Sequence, residues 1–297
     1  MIATDDTFGD RDGGFLEELL ASQRRAVEAV AGAITAIGQA AASISARVGA
    51  GGRLIYLGAG SSGLIALQDG AELPGTFGLD SSRIVFLIAG GVTRAHEIDA
   101  ASEDDIEAAK RDIAALGSLV GDVVVAVSAS GATPYTLAGA KAARANGALM
   151  VALANRAGSP LLEEADCPVL LDSGAEVLKG STRLAAGTAQ KCALGLISTY
   201  ANARLGHVYQ GLMVNVRPEN AKLRRRAIDI IASIAGVDET SASASLDCAG
   251  DNVKCAVLIA SGARSKEEAE ALVKSVNGNI GAALSRLSNR TGIGAEF

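Results

Sequence analysis

Apolar residues at Leu16, Leu20, Val27, Val30, Ile34, Ile37, Ala41, Ile44 and Val48 recur at steps of three and four, broken once at Gln23. That spacing predicts one long N-terminal amphipathic helix. Its stripe must cover something, either the chain's own core or a second copy packed in coiled-coil fashion. Gly51-Gly52 ends it. Downstream the pattern changes. Short apolar runs at Leu54 to Leu57, Ile84 to Ile88, Val123 to Val127, Leu149 to Ala154 and Pro168 to Leu171 are each followed by a helical pattern. The alternation predicts an α/β fold with a central parallel sheet covered by helices. In open sheets of this kind ligands sit beyond the carboxyl ends of the strands.

The largely apolar stretch from Arg183 to Arg204 predicts a buried helix, and Pro218 to Ile234 predicts another. The rest reads as a small helical unit. Its run Val253 to Ala260 fits strand or buried helix alike, and the helical pattern from Lys266 to Val276 favours helix. No long-period internal repeat is evident. These readings divide the chain into an N-terminal helical segment over 1–50, a sheet domain over 51–235 and a C-terminal helical domain over 236–297.

Composition narrows the classes. With 297 residues, 49% of them apolar and 20% charged, the chain is globular. No apolar run approaches the roughly 20 residues of a membrane span. Met1 to Asp12 is polar and acidic, unlike a secretion signal, so a cytoplasmic location is expected. A net charge of -6 and 3% aromatics argue against nucleic acid, and the basic cluster Lys222 to Arg226 reads as a solvated helix face. Cys167, Cys192, Cys248 and Cys255 are scattered, which predicts four buried, reduced thiols and no zinc site. With only His96 and His207, neither histidine catalysis nor a metal is expected, so carboxylates and hydroxyls must carry the chemistry.

Two loops at predicted strand ends stand out: Gly58-Ala59-Gly60-Ser61-Ser62-Gly63 and Ser128-Ala129-Ser130-Gly131-Ala132-Thr133. The three glycines of the first match a dinucleotide fingerprint, but the next strand ends in Leu-Ile-Ala-Gly-Gly without the ribose-binding carboxylate. Hydroxyls among the free amides of a helix start suit a compact phosphomonoester instead. Each loop alone would more often be simple helix capping. Two in one sheet favour phosphate.

These loops resemble the sugar isomerase (SIS) domain family, which binds phosphosugars through such residues. Within it the chain is most similar to the N-acetylmuramic acid 6-phosphate etherases. That similarity rests on Arg53 to Gly63, Gln68 to Gly78, Ile88 to Gly91, Ser102 to Asp104, and Gly174 to Leu184 continuing into Ala186 to Lys191. The resemblance implies a three-layer αβα sandwich, a phosphorylated amino sugar as substrate, homodimers, and cofactor-independent removal of a D-lactyl ether. It also implies Glu72 as the acid that protonates departing lactate and Glu103 as the C2 base. Gly60, Ser61, Ser62, Ser128, Ser130, Gly131 and Thr133 would hold the phosphate, and Glu176, Ser181 and Arg183 the sugar or an anion. Both catalytic glutamates also fit ordinary solvated helix positions; Glu72 lies in a small-residue stretch, Gly70 to Gly78, that reads as a turn. Leu64 and Ala185 stand where those etherases usually carry cations. Two readings follow, a lyase and a phosphosugar-binding regulator like the glucokinase regulatory proteins. Retention of both glutamates favours the lyase.

Overall fold

The computed structural model describes residues 12–94 and 100–291. Most of the acidic N-terminal stretch, and His96, lie outside them. In chain order the elements are α1 (Asp12–Gly32), α2 (Ile34–Gly49), β1 (Leu54–Gly58), α3 (Gly60–Phe77), β2 (Ile84–Ile88), α4 (Ala100–Glu103), α5 (Ile106–Ala115), β3 (Val123–Val127), α6 (Pro134–Ala145), β4 (Leu149–Ala154), α7 (Pro160–Glu163), β5 (Cys167–Leu170) and α8 (Ala185–Arg204). Then come the antiparallel pair β6 (Val208–Tyr209) and β7 (Leu212–Met213), α9 (Ala221–Ala235), α10 (Glu239–Cys248), α11 (Val253–Ala260), α12 (Lys266–Ser275) and α13 (Ile280–Thr291).

The sheet is parallel throughout, in the order β2-β1-β3-β4-β5. Because both faces are covered, β1 and β3 read as unbroken apolar runs and are buried along their whole length. Ile55, Leu57, Val124, Ala126 and Met150 point to one face, where they pack on α5, α6 and α7 through Ile113, Tyr135, Ala140 and Leu161. Against the other face lie α2 and α3. There the stacked rings of Tyr56 and Phe86 press on the backbone of α3 at Gly70, where a Cβ would fall 2.6 Å from Tyr56. The expected αβα sandwich is therefore present.

Two local expectations give way. The N-terminal stripe belongs to two helices bent by 65° at Ala33, whose N–H turns tightly onto the Val30 carbonyl after the weak helix former Gly32. Val30, Ile37, Ala41, Ile44 and Val48 are buried, whereas Leu16, Leu20, Val27 and Ile34 face outward, each about half exposed or more. Gly70 to Gly78 is not a turn either, since α3 runs on to Phe77 with Pro74 inside it. One proline removes a single ladder bond, and the Gly78 N–H bonding to the Pro74 carbonyl closes the helix. Among the described residues no single helix is long and apolar enough to cross a membrane.

Contacts group the chain into two compact units, Met1–Gly70 with Ile84–Ile197, and Ala71–Arg83 with Ser198–Phe297. The second is built around a core that includes Val214, Ile231, Leu246, Val257, Leu272 and Leu287. Its last four helices form a repeat that the sequence reading missed. Asp238 caps α10 and Ser265 caps α12, 27 positions on; Asn252 caps α11 and Asn279 caps the start of α13 at the same spacing. Between the helices of each pair lie two consecutive left-handed residues, Gly250 and Asp251 (φ 60° and 63°) and then Asn277 and Gly278 (φ 52° and 81°). The same unit buries Lys254 to 6% exposure with no ion-pair partner among the described residues. Burial lowers its ammonium pKa to about 8, and burial together with the Lys254 charge lowers that of His207 to about 4.

Candidate phosphosugar site

The strand order reverses direction at β1, so the crevice of this sheet opens beyond the carboxyl ends of β1 and β3. Gly58 of β1 is paired with Val127 of β3, and the two serine-rich loops begin at these neighbouring residues. Sheet topology alone thus sets them side by side.

In the first loop the backbone doubles back on itself. A Cβ on Gly58 would come within 2.8 Å of the Gly63 Cα, so both positions must lack side chains for α3 to start against the strand end. Ser62 is buried and Ser61 half-buried in the first turn of α3. Neither hydroxyl takes a hydrogen-bond partner among the described residues. The second loop is knit internally. Ser128 Oγ accepts from the Gly131 N–H at 3.1 Å and lies 2.9 Å from Thr133 Oγ1, while Ser130 Oγ accepts from the Ala132 N–H at 3.2 Å. Thr133 sits at the cap position of α6 without capping it, which leaves the first-turn amides of that helix with no side-chain acceptor.

Glu103 closes the group. At the end of α4, its carboxylate rests on Gly60, where a Cβ would fall 2.4 Å from Glu103 Oε1. Gly60 also adopts φ 52°, a left-handed conformation that suits glycine. Burial, and secondarily the charge of Asp104, raise the Glu103 carboxyl pKa above the ordinary glutamate value. A half-buried carboxylate with raised basicity, beside two hydroxyl loops and two helix starts, is equipped to move a proton on a bound anionic ligand.

Comparison with known proteins decides the family. The SIS domain family matches residues 103–197. An N-acetylmuramic acid 6-phosphate etherase of Deinococcus radiodurans is 47% identical over 84% of this chain and 81% of its own length. Etherases of Rubrobacter xylanophilus (44%, covering 84% of this chain and 83% of the relative) and Streptomyces avermitilis (41%, covering 86% and 82%) are similar in extent. The chain belongs to the N-acetylmuramic acid 6-phosphate etherase family.

As a member of the etherase family, the chain brings Gly60, Ser61, Ser62, Ser128, Ser130, Gly131, Thr133 and Glu103 to one crevice end. Glu72 is exposed, eleven residues along α3 from Ser61, in the part of the helix that belongs to the second unit. Glu176 turns inward. Its two carboxylate oxygens accept from the Ala185 and Ala186 N–H groups at 3.0 and 3.1 Å, so it caps α8. Ser181 is half-buried, with its N–H on the Leu178 carbonyl, and Arg183 is exposed. Leu64 is half-buried and Ala185 fully buried in the first turn of α8. No group of His, Cys, Asp or Glu among the described residues is placed to hold a metal.

The sequence reading passed over Asn155 and Ser159. Asn155 follows β4 and reaches the loop after β5, and Ser159, 2% exposed, has its hydroxyl where a side chain on Gly131 would be. Their only sequence signal is position: polar residues just beyond a predicted strand of a sheet that binds ligand at that edge.

Proposed function

We propose that the chain converts N-acetylmuramic acid 6-phosphate to N-acetylglucosamine 6-phosphate and D-lactate, acting as a carbon–oxygen lyase without metal or organic cofactor. In the ring-opened sugar the C1 aldehyde acidifies the C2 proton. Glu103 takes that proton, the electron pair forms the C2–C3 double bond, and the C3–O bond to lactate breaks as Glu72 protonates the departing oxygen. Water then adds at C3 and a proton returns to C2. The two loops hold the phosphate, and the half-buried Glu103 on Gly60 supplies a base whose pKa is raised by burial.

The observation that carries this reading is the Glu103 carboxylate seated on Gly60 of the first hydroxyl loop, in a chain 47% identical to a named etherase. Incubation with N-acetylmuramic acid 6-phosphate and enzymatic measurement of D-lactate tests it. Stoichiometric lactate is expected; binding of the phosphosugar without lactate would sink the lyase and favour a regulator. We further assign the reaction to the cytoplasm, in the reuse of cell-wall sugars, and to a homodimer. The outward stripe Leu16, Leu20, Val27 and Ile34 supports the dimer by offering an apolar helix face to a second copy.

A further inference from the structure

At the carboxyl edge of the sheet one residue ties together, through its backbone and its side chain, segments that approach the crevice from different strands. Asn155 follows β4. Its own N–H donates to the Ala129 carbonyl at 3.0 Å, inside the second hydroxyl loop. Its Nδ2 donates to the Leu171 carbonyl at 3.0 Å and to Ser173 Oγ at 3.1 Å, at the head of the segment that runs through Glu176 into α8, and stands 3.5 Å from the Ala186 carbonyl. Its Oδ1 accepts from Gln190 Nε2 at 2.9 Å.

The orientation of this amide follows from its surroundings. Leu171 offers a carbonyl, which only accepts, so the Nδ2 of Asn155 must face it and the Oδ1 must face Gln190. Gln190 must then present its own NH2 group, which leaves its Oε1 fully buried and without a partner. An unpaired buried acceptor opposes folding. A leucine at 190 would avoid that cost, and the glutamine remains, its donated bond locking the Asn155 amide in the one orientation that holds the loop after β5.

We propose that Asn155, oriented by Gln190, is a positioning residue for turnover. It fixes the segment from Leu171 to Ala186 against the Ser128–Thr133 loop, so that the sugar is held in register with its anchored phosphate. Asn155 touches neither substrate nor reacting atoms in this role. The catalytic half of the inference rests on the etherase reading; the positional half stands without it.

Two measurements on the full chain test the halves separately. Hydrogen–deuterium exchange of the ligand-free Asn155→Ala protein should rise across residues 171–186 while β1 and β3 stay protected, because alanine removes the side-chain bonds to that segment and keeps the backbone bond to Ala129; unchanged exchange there overturns the proposal whatever the protein catalyses. In D-lactate kinetics, kcat of Asn155→Ala should fall about 100-fold with little change in KM, the signature of a lost alignment rather than a lost phosphate contact. A KM rise with kcat intact overturns the positioning role. If wild-type protein releases no lactate, the etherase reading fails and exchange alone decides. Should Asn155→Ala not fold, Ser173→Ala, which removes one acceptor and leaves the amide, must raise exchange in 171–186 and lower kcat in the same sense, and failure to do either rejects the proposal.

Discussion

The Glu103 carboxyl pKa is raised above the ordinary glutamate value by burial first and by the neighbouring charge of Asp104 second, and the two causes can be separated. As the proposed base, Glu103 works only when ionised, so the acid limb of kcat/KM should lie above the usual glutamate pKa. Asp104→Asn removes a like charge, favours the ionised form and should move that limb to lower pH in a lactate-release profile. Glu72→Gln should abolish lactate release yet retain exchange of the C2 proton in deuterated water; exchange lost with elimination retained would reverse the acid and base roles. Gly60 is the steric complement of Glu103. An alanine there adds about 1 kcal/mol of left-handed backbone strain and drives its Cβ into the carboxylate, so lactate release should fall about 100-fold. Lys254 makes a different residue-level prediction. With a folded pKa of about 8 against 10.5 when unfolded, the unfolded chain binds more protons between those values. Stability should therefore rise with pH across that window. Below it the buried charge costs on the order of 3 kcal/mol. Lys254→Met should raise the melting temperature at pH 7 and lose that advantage above pH 10.5, as read by thermal scans.

At the level of elements, the cap on α8 is supplied from nine residues upstream rather than from the adjoining turn. Glu176→Ala should cost about 1–2 kcal/mol in denaturant unfolding, since two first-turn amides lose their side-chain acceptor. The central strands were legible because a strand buried on both faces has no choice but to be an apolar run, and Leu54 to Leu57 or Val123 to Val127 cannot be mistaken for anything half-solvated. Loop positions followed from the strands. The break at Ala33 was not legible, because a three-four spacing runs through it unbroken; two different faces share one periodicity, and only three-dimensional packing separates Val30 from Ile34. Continuation of α3 past Pro74 was hidden for the opposite reason. Gly70, Pro74, Gly75 and Gly78 carry every local sign of a turn, yet Gly70 is there because two aromatic rings press on the helix backbone. The Glu176 cap was invisible because it joins residues nine and ten apart through an irregular segment, where no periodicity operates.

For the whole molecule, the outward stripe on α1 and at the start of α2 leaves four large apolar side chains about half exposed or more. Leu20→Glu combined with Val27→Glu should convert the proposed dimer to monomer in light-scattering chromatography with the fold intact; an unchanged mass would place any interface elsewhere. The C-terminal duplication escaped the sequence reading because caps, left-handed turns and small buried residues recur there while residue identities do not: Asp238 answers to Ser265, and Gly250-Asp251 to Asn277-Gly278. Equivalent caps should behave as equals, with Asn252→Ala and Asn279→Ala each costing about 1 kcal/mol and adding in the double variant, as measured by urea unfolding. The duplication also fixes how this part of the chain can change in length. A single residue inserted within α10 or α12 rotates everything beyond it by about 100° and turns Val253 or Ile280 out of the core. Twenty-seven residues added between Ala263 and Ser265 restore cap, turn and helix start together, so evolution or design can extend this end by whole hairpins and by little else.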